Sequence, residues 1–162
     1  MKKIFTSVLC AVVAASCLLA GCGGSSGSDN AVSAAVLGEA MVAASGSGDN
    51  LVLLDDNTVF DFYTDLDSSL TDDCQVYYNL VGNSVEEIAV FHATSSSNKK
   101  LIEAAINNRL AVVGDQLERY PADREDEFRM YESRKILEKG DYIALVITTD
   151  VGAVEKAFKD CF

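Results

Sequence analysis

Few side chains in this sequence have the type and spacing to do chemistry. Cys22 follows Leu19-Ala20-Gly21, so a thiol stands directly after small residues that fit a peptidase site. Such a thiol can carry a thioether-linked diacylglycerol. Cys74 and Cys161 are two further thiols, far apart in the chain. Seven aspartates (55, 56, 61, 65, 67, 72 and 73) crowd one short stretch and suggest calcium. His92 is the only histidine. A lone histidine with no matched nucleophile reads as structural rather than catalytic.

Lys2 and Lys3 precede a nearly uncharged apolar run from Ile4 to Leu19, the form of an export signal. Leu-Ala-Gly-Cys resembles the bacterial lipobox at all four positions, which makes Cys22 the expected lipidation site. Two acyl chains, at roughly 0.8 kcal/mol per buried methylene, anchor stably where one chain does not. The rival is an uncleaved span, since Ile4 to Cys22 approaches the roughly 17 residues of the shortest membrane helices. The small residues and the Gly/Ser stretch after Cys22 fit cleavage better. Expected are a signal at 1–21, a flexible tether at 22–29 reaching on the order of 15 Å, and one extracytoplasmic domain at 30–162.

The aspartates fail the calcium test. Asp65, Asp67, Ser69, Thr71 and Asp73 fall at ligand positions one, three, five, seven and nine of an EF-hand loop. Leu70 stands where the glycine belongs and Val76 where the bidentate glutamate belongs. A solvated loop with helix caps is the better account, and no metal or other cofactor is expected. Cys74 and Cys161 either pair outside the cytoplasm or pack as small hydrophobes. Leu70, Cys74 and Tyr77 recur at helical intervals, as do Val154, Phe158 and Cys161.

The full chain carries 25 acidic and 13 basic residues, a formal charge of −12. Loss of Lys2 and Lys3 deepens that to −14. Nucleic acid is excluded as a partner, because phosphates need a basic surface. Anionic headgroups repel the domain too, leaving the diacylglycerol on Cys22 as the membrane contact.

These residues must be placed by a small set of elements. Asn30 starts a small-residue helix at 31–44, and residues 51–54 form a short strand or extended segment. The stretch from Asp55 to Asp73 reads as weakly ordered, and 70–80 as a short helix ending near Gly82-Asn83. Ser84-Val85-Glu86-Glu87 mimics a capping box, yet Ile88 to Ala93 is apolar on both faces and reads as a central strand. From Lys99 to Tyr120, Ile102, Ile106, Leu110, Val113, Leu117 and Tyr120 make the best helical stripe. Pro121 opens another helix, a hairpin turns at Lys139-Gly140, and Thr149 or Asp150 caps a last helix.

The expected fold is α+β: a small antiparallel sheet, strand order 1-3-2, in a truncated ferredoxin-like βαββα with helices on one face and an added N-terminal helix. Residues 51–63 are expected to cover the sheet edge beside Ile88 to Ala93. Lipobox and tether, Val85-Glu86-Glu87-Ile88-Ala89-Val90-Phe91, the Lys139-Gly140-Asp141-Tyr142 turn and Val154-Glu155-Lys156-Ala157-Phe158 together resemble a family of small lipoproteins of Gram-positive anaerobes. That family is catalogued as domain of unknown function 4358. The resemblance implies a membrane-anchored domain and supplies no functional residues.

No metalloprotease helix, Walker loop, nucleophile elbow or C-x-x-C pair occurs. The expectation is therefore a non-enzymatic binding or interaction domain on the outer face of the cell membrane, with an envelope protein as partner. The alternative is a small-ligand or cation receptor.

Overall fold

The structure is a computed structural model that describes residues 32–120 and 124–162. The signal, tether and Cys22, and the Pro121 helix start, lie outside those residues. Besides a 3-10 turn at Gly48–Asn50, the described residues form, in order, α1 (Ala34–Ser45), β1 (Leu51–Leu53), α2 (Asp56–Phe62), β2 (Thr71–Asn79), β3 (Glu87–Ala93), α3 (Ser96–Arg119), α4 (Glu125–Ser133), β4 (Lys135–Lys139), β5 (Tyr142–Ile147) and α5 (Val151–Asp160). Residues Ala31–Phe162 form one compact unit.

The fold is α+β, built on a five-stranded antiparallel sheet in the order β1-β2-β3-β5-β4. The three strands read from the sequence occupy its β3-β5-β4 side. The expected three-stranded sheet in the order 1-3-2 is corrected to five strands, because β1 and β2 lengthen it. Residues 71–79, expected as a helix, pair instead with both neighbours; Val76 meets Ala89, and Val52 meets Tyr78. The edge of β3 is thus covered by β2, and residues 51–53 add the strand beyond it.

Helices pack on both faces, which corrects the one-sided arrangement. Because strand residues alternate, β3 sends Ala89 and Phe91 to one side and Ile88 and Val90 to the other. On the first side Phe91, Leu145 and Ile147 pack under Ile102, Ile106 and Leu117 of α3 and Val59 of α2. On the second, Ile88, Ala144 and Val146 pack with Leu37 and Met41 of α1 and Val154 and Phe158 of α5. Each such large apolar side chain removed from water contributes about 1.5–3 kcal/mol. Gly38 brings α1 close to the sheet, since a Cβ there would lie 2.7 Å from Tyr77 Cε2.

Local signals set the boundaries. Ser33, Asp55, Ser95 and Asp150 each accept a hydrogen bond from a backbone N–H in the first turn of the helix that follows. Gly46 ends α1 in the left-handed conformation, φ 75°, and Gly140 turns the β4–β5 hairpin at φ 57°. Ser84 Oγ accepts from the Glu86 N–H at 3.2 Å, so the box-like sequence makes a turn into β3 and no helix.

Candidate functional site

The polar centre of the molecule lies where β3 meets α3. Glu87, the first residue of β3, is fully buried, and Arg109 of α3 is 8% exposed. Arg109 Nε and Nη2 donate to Glu87 Oε2 at 3.0 and 2.8 Å. The Tyr63 hydroxyl, just past α2, donates to Glu87 Oε1. The guanidinium carbon lies 4.6 Å from the Phe62 ring centroid and 5.6 Å from that of Tyr78, and the two rings meet edge-to-face 5.1 Å apart, so an aromatic pair packs against the cation.

Electrostatics follow from this packing. Burial, reinforced by the Glu87 charge, pushes the Tyr63 phenol well above its usual range, so it remains a proton donor. Burial alone would lower Arg109, but the Glu87 charge and hydrogen bonds outweigh it and raise it. A second buried carboxylate, Glu86, accepts from Asn79 Nδ2 at 3.0 Å and Thr148 Oγ1 at 2.8 Å, joining β2 to the end of β5.

Above Arg109 runs a groove. Asp61, Phe62, Thr64, Tyr78, Asn108 and Arg109 help to line a cavity of about 310 Å³. Tyr78 and Gln116 also line an adjoining cavity of about 410 Å³, with Ser84, Tyr120 and Arg124. Asn108 is oriented by Asp65, Nδ2 to Oδ2 2.6 Å. Arg124 donates from Nη2 to the Asn83 carbonyl, while its buried Nε has no partner among the described residues. The groove can hold and orient a hydrogen-bonding group.

A second feature is apolar. Val52 and Leu53 of β1 are 45% and 49% exposed, and Leu80 and Val81, just past β2, are 60% and 64% exposed. Leu51 pairs with Asn79 and Leu53 with Tyr77, so Val52 and Leu53 lie on opposite faces of this edge strand while Leu80 and Val81 run on past the start of β1. Asp49, Asp55 and Asp56 stand exposed on either side of β1. The opposite edge, β4, is charged through Lys135, Glu138 and Lys139.

The residues singled out in the sequence are scattered by the fold. Cys22 is outside the described residues. Among those described, Cys74 and Cys161 are both free thiols. Cys74 packs against the α3-side cluster and Cys161 against the α1–α5 cluster. They pack on opposite faces of the sheet as two small half-buried side chains. Burial, then Asp56 and Asp73, push the Cys74 thiol up to about 11. His92 on β3 meets Asp72 through Nδ1 at 2.6 Å, its ring centroid 4.5 Å from that of Tyr142.

The aspartates are spent on local structure. Asp55 caps α2 through Thr58, Asp67 accepts from the Ser69 N–H at 2.8 Å, and Asp73 of β2 accepts from the Ala34 N–H at 2.7 Å. Hydrogen bonds from Thr58 and Ser69 hold Asp55 and Asp67 below the usual carboxylate range. Among the described residues no group of three or more His, Cys, Asp or Glu side chains is placed to hold a metal ion. No helix among them is long and apolar enough to cross a membrane.

Sequence reasoning missed the Glu87–Arg109–Tyr63 group. Its signal was present: Arg109 is a charge embedded in the stripe of Ile102, Ile106, Leu110 and Val113, and an arginine there needs a buried acid.

Comparison with known proteins found no match among curated proteins and none among solved structures. A family model does match, over residues 44–148, and its description is domain of unknown function (DUF4358). The matched stretch contains all five strands together with α2, α3 and α4, and therefore the whole groove and apolar corner. By that match the chain belongs to the DUF4358 family.

Proposed function

We propose that this protein is a lipid-anchored binding module of the cell envelope, displayed on the outer face of the membrane, that holds a protein partner and performs no catalysis. The observation that carries the binding reading is the apolar corner at the β1 edge, where Val52 and Leu53 are exposed on the two faces of the strand and Leu80 and Val81 just past β2, in a strongly acidic chain. An open strand edge that carries exposed apolar side chains is a surface on which a partner can settle. The anchor rests on Leu19-Ala20-Gly21-Cys22, and the tether lets the domain stand off a surface that repels it.

Two arms test this. In the first, cells expressing the full chain are labelled with palmitate; Cys22→Ser should lose the label and leave the detergent phase. A serine variant that partitions like the parent points to a membrane span. In the second, a photo-reactive phenylalanine replaces Val81 in the anchored protein. A discrete adduct should form and vanish with Leu80→Asp, and an adduct indifferent to that change removes the corner from the reading.

A second reading is supported by the groove. Arg109, with one edge held by Glu87 and the Phe62 and Tyr78 rings packed against it, lines a cavity beside Asn108 and Gln116, as a receptor for a small neutral hydrogen-bonding ligand would arrange its donors. Thermal stabilisation by small amides or sugars, abolished by Asn108→Leu and unaffected by Leu80→Asp, would favour it.

A further inference from the structure

We infer that the outer edge of β1 receives an extended segment of a partner protein, apolar at its centre and flanked by lysine or arginine, as a sixth strand of the sheet. This rests on the protein-binding reading above and names its mode and the partner's chemistry.

The edge is open and its phase is known. β1 ends the sheet, and the Leu54 N–H donates to the Val76 carbonyl at 2.8 Å. In an antiparallel pair, inward and outward backbone groups alternate, so Val52 also faces β2 while the Leu53 N–H and C=O and the Leu51 C=O face away. On that side Leu53 engages no backbone partner among the described residues. Such groups template an added strand, whose side chains would continue the Val52–Tyr78 row on one face and the Leu53–Tyr77 row on the other. That fixes apolar residues at the occupant's centre.

Charge decides among occupants. Asp49 precedes the strand and Asp55 and Asp56 follow it, all exposed. A second copy paired antiparallel about Val52 would set Asp49 against Asp55, opposing like charges. A segment flanked by cations meets the same carboxylates favourably. The β4 edge lacks this character, because Lys135, Glu138 and Lys139 guard it as charged side chains guard edges generally.

The test uses the full-length protein in detergent micelles at low salt. The probe is an acetylated, amidated peptide of alternating valine and threonine with two lysines at each end. A glutamate-ended counterpart and a version N-methylated along one edge serve as controls. The lysine peptide should bind at least about tenfold more tightly than either control, the preference over glutamate weakening with salt. Leu53→Pro removes the outward N–H and keeps the bonds to β2, so it should abolish binding with the circular dichroism unchanged. If that variant does not fold, Leu53→Lys should weaken binding of the lysine peptide. Joint Asp49→Lys and Asp56→Lys should reverse the charge preference.

Equal binding of lysine and glutamate peptides overturns the proposal, as does undiminished binding of the N-methylated peptide. A parent dimer that Leu53→Lys dissociates assigns the edge to a second copy and overturns it too. A Val81 adduct that persists in Leu53→Pro, with no peptide binding to the parent, removes the added-strand mode and keeps the apolar corner. Loss of both removes the binding reading itself.

Discussion

Arg109 and Glu87 lie 22 residues apart in the chain and meet through two hydrogen bonds, 3.0 and 2.8 Å, between the middle of α3 and the start of β3. Removing one partner strands the other charge in the core. Arg109→Ala should therefore cost about 3–5 kcal/mol by urea denaturation. The double variant Arg109→Met with Glu87→Leu should recover most of that loss, because no charge then stays buried. A double variant as unstable as the single one would show that shape, not charge, dominates there.

Tyr63 sets an alkaline limit. Its phenol is held well above 10.0 by burial first and then by Glu87. In the unfolded chain it ionises near 10, so this contribution is fully present below pH 10 and is lost as pH rises beyond it. Tyr63→Phe should lose about 1–3 kcal/mol at neutral pH by leaving Glu87 Oε1 without its donor. Above pH 10 the variant's stability should fall less steeply than the parent's, read from denaturation midpoints at several pH values.

Glu155 acts at the acid end. Hydrogen bonds from Lys135 of β4 and Lys159 of α5 bring its carboxyl down from 4.5 to about 2. Because the folded value is depressed, the contribution is present above pH 4.5 and fades as pH falls toward 2. Glu155→Gln should flatten the pH dependence of the melting temperature across that window. An unchanged slope would show that the exposed lysines do not hold Glu155 in solution.

The cysteines should stay reduced with respect to each other, since they face opposite sides of the sheet. Oxidation of the folded protein should form no Cys74–Cys161 bridge, checked by mass spectrometry of peptides. With its thiol pushed to about 11, Cys74 should alkylate at least about tenfold more slowly near pH 8 than an ordinary thiol.

Much of the α+β framework is legible before any coordinates. The stripe Ile102, Ile106, Leu110, Val113, Leu117 is buried as α3, and Lys139-Gly140 turns a hairpin between a charged edge strand and an apolar central one. The strand at 71–79 is not, because Cys74 and Tyr77 lie three apart and suit a helix. Only pairing reveals Cys74 and Val76 on one face and Tyr77 on the other. The second helical layer was nonetheless implied, since a strand apolar on both faces, as Ile88 to Ala93 is, requires cover on both. The apolar corner escaped notice for a different reason. Leu53 and Val81 are apolar like any core residue, and a sequence does not show which apolar residues the pairing leaves outside.

The α1–α5 layer also governs the order in which the molecule can be completed. Leu37 and Met41 of α1 share their cluster with Val154 and Phe158 of α5, and the Tyr142 hydroxyl donates to the Val32 carbonyl. A chain made N-terminus first thus presents one half of this layer long before the other. At 5–20 residues per second the stretch from Ser45 to Val151 takes roughly 5 to 20 s to synthesise. Throughout that time the apolar side of α1 has no partner from α5, so a ribosome stalled before Val151 releases a chain with that seat bare. Quality control by proteases or chaperones would meet the molecule there, at its beginning, because of residues missing from its end.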